Sequence, residues 1–117
     1  SGILNQYGAS SNGNVYRNNT LYGNTNFNPS ANSIVENNKI YATTNIAANT
    51  TVVGNTFQNV AISGTNTTFT NNNVTGTVTV SGNENTIKDN NIISSGEYAV
   101  DLKSTVNNIV ADNVLYE

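Results

Sequence analysis

The 117-residue chain lacks cysteine, histidine, tryptophan and methionine, and it contains a single proline. Without cysteine there is no disulfide framework and no zinc site built from thiolates. Without histidine, Ser-His and Cys-His catalysis are excluded and the commonest zinc ligand is missing. The sequence therefore predicts neither a metal site nor a cofactor.

Charge is also scarce, since charged residues make up 9% of the chain and the net charge is −3. The four Lys and Arg residues are too few to neutralise a phosphate backbone, so we expect no nucleic-acid binding. No apolar run approaches transmembrane length, and we expect no membrane insertion. Apolar residues amount to 36%, a low share for a compact globule.

What the chain has in excess is asparagine and threonine, with 26 and 16 residues. Asn-rich sequence can be disordered, or it can belong to a fold dominated by turns and ladders. An internal repeat favours the second interpretation. The six copies are "VYRNNTL" from Val15, "IVENNKI" from Ile34, "TVVGNTF" from Thr51, "TFTNNNV" from Thr68, "TIKDNNI" from Thr86 and "IVADNVL" from Ile109.

The fifth position of every copy is Asn, at intervals of 19, 17, 17, 18 and 23 residues. These residues are Asn19, Asn38, Asn55, Asn72, Asn90 and Asn113. Apolar residues flank the Asn three positions before and two after, and they form two predicted core rows. The rows are Tyr16, Val35, Val52, Phe69, Ile87 and Val110, and Leu21, Ile40, Phe57, Val74, Ile92 and Leu115.

A strand, a tight corner and a second strand would turn both rows inward. We expect the invariant Asn to form the corner, because Asn enters the left-handed region more readily than other non-glycine residues. Corner Asn side chains in successive coils would then stack and hydrogen-bond in a ladder. The position before it is also rich in turn formers, namely Asn18, Asn37, Gly54, Asn71, Asp89 and Asp112.

Each interval holds a third short strand, such as "VAI" at 60–62 and "VTV" at 78–80. The alternation in "EYAVDLK" predicts that Tyr98, Val100 and Leu102 face inward. A second polar corner is expected near Asn32, Asn49, Asn66 and Asn107. The sequence thus predicts an all-β, single-stranded parallel β-helix (β-solenoid) of about six coils of 17–23 residues, in one domain spanning 1–117.

The segment "GEYAVDLKSTVNNIVADNVLYE", 96–117, resembles the right-handed parallel β-helix repeat family. That family includes pectate-lyase-like enzymes, carbohydrate-binding and sugar-hydrolase modules, and adhesin-like surface proteins. The resemblance implies a right-handed solenoid. It also implies that an enzyme of this family would carry clustered Asp, Arg or Lys on its exterior, and the sequence shows no full set.

Two sets of residues are candidates for chemistry. Asp89 and Asp112 hold equivalent positions in consecutive copies, where two carboxylates would suit a glycosidase pair or a calcium site. The alternative is that Asp replaces Asn as a turn residue. Tyr22, Tyr41 and Gln58 follow the second core row and would face outward as a glycan platform. The alternative is an aromatic ladder that stabilises the sheet.

Three further surface features have predominantly structural interpretations. Arg17 and Glu36 are expected to pair across coils. Thr51, Thr68 and Thr86 form a short row of the kind seen in ice-binding solenoids, although aliphatic residues interrupt it at both ends. Asn-x-Ser/Thr sequons, which are expected by chance in such a composition, begin at Asn18, Asn49, Asn66 and Asn73.

Neither end of the sequence shows a helix or polar segment that would cap a solenoid. We therefore expect either a piece of a longer protein or a subunit that stacks on further copies or neighbouring coils, which would build a filament. The favoured function is a non-enzymatic structural or adhesive solenoid, outside the cell or on its surface. The alternative is a carbohydrate-binding or carbohydrate-active module that recognises polysaccharide, and a minor alternative is an ice-binding solenoid.

Overall fold

The computed structural model describes residues 13–23 and 26–116, which form an all-β fold of strands two or three residues long, with no helix in those ranges. The strands are β1 (Val15–Arg17), β2 (Thr20–Tyr22), β3 (Ile34–Glu36), β4 (Lys39–Tyr41), β5 (Thr44–Ile46), β6 (Thr51–Val53), β7 (Thr56–Phe57), β8 (Val60–Ile62), β9 (Thr68–Thr70), β10 (Asn73–Val74), β11 (Val78–Val80), β12 (Thr86–Lys88), β13 (Asn91–Ile93), β14 (Val100–Leu102), β15 (Ile109–Ala111) and β16 (Val114–Tyr116).

The strands form three parallel sheets whose neighbours come from consecutive coils. Sheet A has the order β1-β3-β6-β9-β12-β15, sheet B the order β2-β4-β7-β10-β13-β16, and sheet C the order β5-β8-β11-β14. This arrangement confirms the predicted β-solenoid, with about five turns. Each of the six repeat copies contains one strand of sheet A, one corner and one strand of sheet B. Six copies are therefore separated by five intervals, which correspond to the five turns.

Both predicted core rows lie in register along their sheets, from Tyr16 to Val110 in sheet A and from Leu21 to Leu115 in sheet B. Their inner members are fully buried, and Phe57 and Phe69 stack with ring centroids 5.8 Å apart. Burial of this continuous apolar column stabilises the fold, because no single coil has a core of its own.

Sheet C contains the predicted strands at 60–62 and 78–80, together with β5, which the sequence analysis did not single out. The prediction for "EYAVDLK" was wrong in part. The strand begins at Val100, Tyr98 is exposed and Ala99 is buried. The backbone carbonyl of Tyr98 instead accepts hydrogen bonds from the hydroxyls of Thr77 and Ser94, which holds the approach to β14 out of the regular alternation.

The corner between sheets A and B differs from the prediction by one position. The left-handed residue is the one before the invariant Asn, and its φ lies between 56° and 72° in all six copies. This position tolerates any residue that accepts positive φ, which explains its mixture of Asn, Asp and Gly. The exposed left-handed residues are Asn18, Asn37, Gly54, Asn71, Asp89 and Asp112.

The corner leading into sheet A is built in the same way. The predicted positions Asn32, Asn49, Asn66 and Asn107 are left-handed, as are Gly13 and Glu84, with φ between 55° and 73°. Glu84 is the unexpected member, since Glu is not a typical turn residue. Two corners of each coil therefore share one design, a single left-handed residue. Ser104, with φ 48°, is a further left-handed residue in the last turn.

Candidate functional site

The invariant Asn residues lie at the corner between sheets A and B, where they form a hydrogen-bonded column that we call the Asn ladder. Its four inner members, Asn38, Asn55, Asn72 and Asn90, are buried. Asn55 shows the unit: its backbone N–H and its side-chain amide both donate to Asn72 Oδ1, at 2.9 and 3.0 Å. The same amide also donates to the carbonyl of Val35 in the preceding coil, at 2.9 Å. Each of the four inner members therefore joins three consecutive coils.

The unit repeats along the described part of the chain. Asn19, Asn38, Asn55, Asn72 and Asn90 each donate twice to the Oδ1 of the next member, and Asn113 receives the last pair. The predicted ladder is thus confirmed, and it has a direction, because every link donates toward the C-terminal end. These bonds need a side-chain amide, with one acceptor oxygen and two N–H hydrogens, and all six copies supply it with Asn.

A second column of inward polar residues lies at the other corner, one position after each left-handed residue, and the sequence analysis missed it. Thr67 N–H donates to Asn85 Oδ1 at 2.8 Å, and Asn85 N–H donates to Asn108 Oδ1 at 2.9 Å. The available signal was a polar residue two positions before each buried residue of sheet A. The members are Asn14, Ser33, Thr50, Thr67, Asn85 and Asn108.

Within the part of the chain that the structure describes, one buried side-chain polar atom has no hydrogen-bond partner. Thr44 lies at the start of β5, between Phe27 and Val60 in the inward row of sheet C. Its side chain is fully buried and its hydroxyl has no hydrogen-bond partner. The methyl group of Thr44 suits this position, whereas its oxygen does not.

Asp89 and Asp112, the predicted carboxylate pair, both occupy the exposed left-handed position of consecutive corners. Asp89 N–H donates to the carbonyl of Ala111, a backbone link between adjacent coils. Asn18, Asn37 and Asn71 occupy the equivalent place in earlier coils, so the corner geometry accounts for both Asp residues. No group of three or more Asp or Glu side chains is close enough to hold a metal ion within 13–23 and 26–116. The catalytic role stays a prediction.

Tyr22 and Tyr41, the predicted aromatic pair, are paired in register on the outer face of sheet B. Their rings stack with centroids 4.9 Å apart and an angle of 9° between the planes. Gln58 is exposed at the next position of this outer row. A centroid distance of 4.9 Å between nearly parallel rings indicates an offset stack. Tyr22 is 58% exposed, and Tyr41 is of intermediate exposure.

The outer face of sheet A carries an in-register row of six β-branched residues, in which the Thr row of 51, 68 and 86 lies between Val15, Ile34 and Ile109. The neighbouring row contains the predicted ion pair, in which Arg17 Nε donates to the Glu36 carboxylate. This ion pair is confirmed and lies beside Val15 and Ile34, whereas Lys88 puts a charge beside the Thr86 hydroxyl. Ice binding stays a prediction.

The four sequon asparagines, Asn18, Asn49, Asn66 and Asn73, are all exposed. Asn66 donates its amide to Asn49 Oδ1 at 3.1 Å, so these two side chains bond to each other on the surface. A glycan on Asn66 would replace one of the two hydrogens of that amide.

The C-terminal turn presents core residues that no further coil covers within the described residues. Leu102, Val110 and Leu115 are 48%, 38% and 49% exposed. Their partners in the preceding coil, Val80, Ile87 and Ile92, are all 0% exposed. At the other end, Tyr16 and Phe27 are buried and Leu21 is partly buried.

Comparisons of the chain with protein-family models, with curated proteins and with solved structures gave no match. Among the residues that the structure describes, no helix has the length and apolar character needed to span a bilayer.

Proposed function

We propose that the protein is a non-enzymatic structural β-solenoid that acts as a stiff element outside the cell or on its surface. The observation that carries the proposal is the Asn ladder, which joins every coil to the next with buried hydrogen bonds. Such a column resists sliding between coils, because a shift of one residue would remove several buried bonds at once. Asparagine, the commonest residue of the chain, would therefore make the solenoid rigid.

The main alternative to this function is catalysis on polysaccharide, and an activity assay separates the two. Purified protein is incubated with a panel of soluble and insoluble polysaccharides, and both reducing ends and unsaturated sugar products are measured. We expect no product above the buffer control. Product that disappears in Asp89→Asn or Asp112→Asn would overturn the structural function, since both substitutions retain a residue found at the same corner in other coils.

A carbohydrate-binding function is the second candidate, and the stacked Tyr22 and Tyr41 favour it. Exposed aromatic faces bind the apolar face of a sugar ring, and the adjacent Gln58 offers a donor and an acceptor. The outer row of sheet B would then bind polysaccharide without cleaving it.

Glycan-array binding tests this second candidate. Tyr22→Ala and Gln58→Ala should each reduce any binding, whereas Tyr98→Ala is the matched control, because Tyr98 is exposed but lies outside the row. Equal binding by all three variants would show that Tyr22 and Gln58 do not form the carbohydrate-binding site.

An extracellular or surface location rests on the resemblance to adhesin-like β-helix proteins. Cell fractionation of the source organism, with an antibody against this chain, tests it directly. Recovery of the protein only from the cytoplasmic fraction would contradict the location.

A further inference from the structure

The outer face of sheet A carries two in-register rows of outward side chains, each with one residue from every strand of the sheet. The first is the β-branched row described above, whose aliphatic members Val15, Ile34 and Ile109 are all exposed. The second row lies two positions further along each strand, and every member is exposed or of intermediate exposure. Its members are Arg17, Glu36, Val53, Thr70, Lys88 and Ala111.

The charges of the second row are placed symmetrically about its centre. Glu36 is second from one end of the row and Lys88 is second from the other. Glu36 already pairs with Arg17, whereas Lys88 forms no ion pair with any residue within 13–23 and 26–116. A two-fold axis parallel to the strands, between β6 and β9, would therefore place Glu36 opposite the Lys88 of a second copy, and Lys88 opposite its Glu36.

We propose that two copies of this protein form an antiparallel dimer through the outer faces of sheet A, related by this two-fold axis. Each strand of one sheet then faces the strand at the mirrored place in the order of the other, so that β1 faces β15 and β3 faces β12. Such a contact is self-complementary and closes at two copies. The dimer supplies a partner for the proposed structural solenoid and therefore rests on that function.

The first row is also complementary to itself under this axis. Val15 lies opposite Ile109 of the second copy at both ends of the contact, so exposed aliphatic side chains are removed from water. Thr51 lies opposite Thr68 at the centre, where each hydroxyl can both donate and accept a hydrogen bond. Apolar residues therefore meet apolar residues, and hydroxyls meet hydroxyls.

The exposed corner residues along the rim of sheet A follow the same pattern. Asp89 comes opposite Asn37 of the second copy, and Asp112 comes opposite its Asn18. Each carboxylate thus faces an amide, which can donate to it, and not a second carboxylate. No two opposite residues in the two rows and along the rim carry the same charge, which favours this register over others.

The other two-fold arrangement of the same faces lacks this complementarity. An axis parallel to the solenoid would place the first row of each copy against the second row of the same coil. Glu36 would then lie against Ile34 and Lys88 against Thr86, so both charges would lose water without gaining an opposite charge. The charges therefore favour the antiparallel dimer.

The size of the face predicts a weak dimer. Six strands spaced about 4.8 Å apart, each of three residues rising about 3.3 Å, give a footprint of roughly 300 Å². A stable interface typically buries about 800 Å² of surface on each partner. We therefore expect dimers in concentrated solution and monomers in dilute solution.

Charge reversal tests the pairing, with the mass in solution measured by sedimentation equilibrium up to the highest soluble concentration. The mass of the natural protein should rise toward twice that of the monomer. Lys88→Glu and Glu36→Lys should each weaken association by roughly tenfold or more, because like charges then face each other in both symmetric contacts. An equimolar mixture of the two variants should restore it, since each variant meets the opposite charge on the other.

Lys39→Glu is the matched control, because Lys39 is exposed on the outer face of sheet B and undergoes the same change of charge. It should associate like the natural protein, and circular dichroism checks the folding of each variant. Failure of the mixture to restore association would overturn the proposal, as would a natural protein that stays monomeric. An equal loss in Lys39→Glu would also overturn it, since net charge would then control association.

A substitution at the centre of the face gives a second measurement. Thr68→Arg should abolish association, because it places two cations close to the two-fold axis. Thr75→Arg, in the same coil but exposed on the side of sheet B, should leave association unchanged. Association that persists in Thr68→Arg, or a mass that grows beyond the dimer, would overturn the proposal. A monomer that releases no product from polysaccharide would refute the dimer alone, so this failure is distinguishable from failure of the proposed function.

Discussion

At the scale of single residues, asparagine has two roles at the corner between sheets A and B, and two adjacent positions fill them. Asn71 is exposed and adopts positive φ, which turns the chain. Asn72 is buried and supplies the hydrogen bonds that join the coils. The first role needs only a tolerant backbone, so Asp89 and Gly54 fill it elsewhere. The second needs both donors and an acceptor, and only Asn fills it.

Thr44 provides a prediction about a residue that departs from its surroundings. Because its buried hydroxyl has no partner, Thr44→Val should stabilise the protein by about 1 kcal/mol. Thr67→Val, the control, should destabilise it by about 1–2 kcal/mol, since the Thr67 hydroxyl donates to the Ala47 carbonyl at 2.7 Å. Chemical denaturation measures both changes, and destabilisation by Thr44→Val would indicate that the hydroxyl does have a partner.

Lys103 provides a prediction about pH. The Asp101 carboxylate hydrogen-bonds to the Lys103 ammonium at 2.7 Å and raises the pKa of this lysine above its ordinary value. A raised pKa means that the pair stabilises the fold fully below the pKa of the unfolded lysine and loses this effect as the pH rises through the folded pKa. NMR titration of Lys103 should therefore give a higher pKa in the natural protein than in Asp101→Asn. Equal values would show that the pair does not form in solution.

At the scale of elements, short strands form a stable sheet because the ladders hold the ends of each strand. Strands of two or three residues have little pairing of their own, and isolated short strands are marginal in water. The corner residues add a second set of bonds in the same direction as the sheet. Strand, ladder and strand therefore act as one continuous surface that bends at the left-handed residues Asn37, Gly54, Asn71 and Asp89.

Truncation of one ladder side chain tests this cooperation. Asn72→Ala leaves the buried N–H of Asn55 without its acceptor and removes a donor to the Val52 carbonyl, so it should destabilise the protein by about 3 kcal/mol or more. Asn71→Gly is the adjacent control and should change stability by less than about 1 kcal/mol, because glycine accepts the left-handed corner. Similar losses in the two variants would refute the division of roles.

The sequence predicts the sheets A and B well because each inward position has a fixed distance from an invariant Asn. Val35 and Ile40 follow from Asn38 alone, for example. The sequence also indicates which residue turns the chain at the corner. The position before the invariant Asn varies among turn-forming residues, whereas the Asn itself does not vary. Three features lie beyond such reasoning. Thr44 occupies an apolar row, Glu84 turns the chain without turn chemistry, and Tyr98 is exposed where the alternation places it inside.

At the scale of the whole molecule, stability varies along the solenoid, because each coil contacts only its neighbours. The central coils have a neighbour on both sides, whereas the described C-terminal turn has one. Leu115 and Val110 are consequently exposed, although Ile92 and Ile87, the preceding members of their two rows, are buried. Local opening should begin at this end and progress inward.

One substitution made at two places in a single row measures this gradient. Val52→Ala removes two buried methyl groups and should cost about 2–3 kcal/mol. Val110→Ala occupies the same row in the terminal turn and should cost less than about 1 kcal/mol, since Val110 is partly exposed. Equal costs would mean that the terminal turn is as well packed as the centre.

The regular register has a consequence for how such a molecule changes in size. Residues 56–72 run from one ladder position to the next, so their removal would join Asn55 to Asn73, whose strand already pairs with the one that follows Asn55. The core and ladder side chains that remain would find neighbours of the same kind. The length of the molecule is therefore adjustable in steps of one strand spacing, about 4.8 Å, by gain or loss of a single coil. Insertion or deletion of one coil would therefore change the length of the protein without altering the pattern of its core.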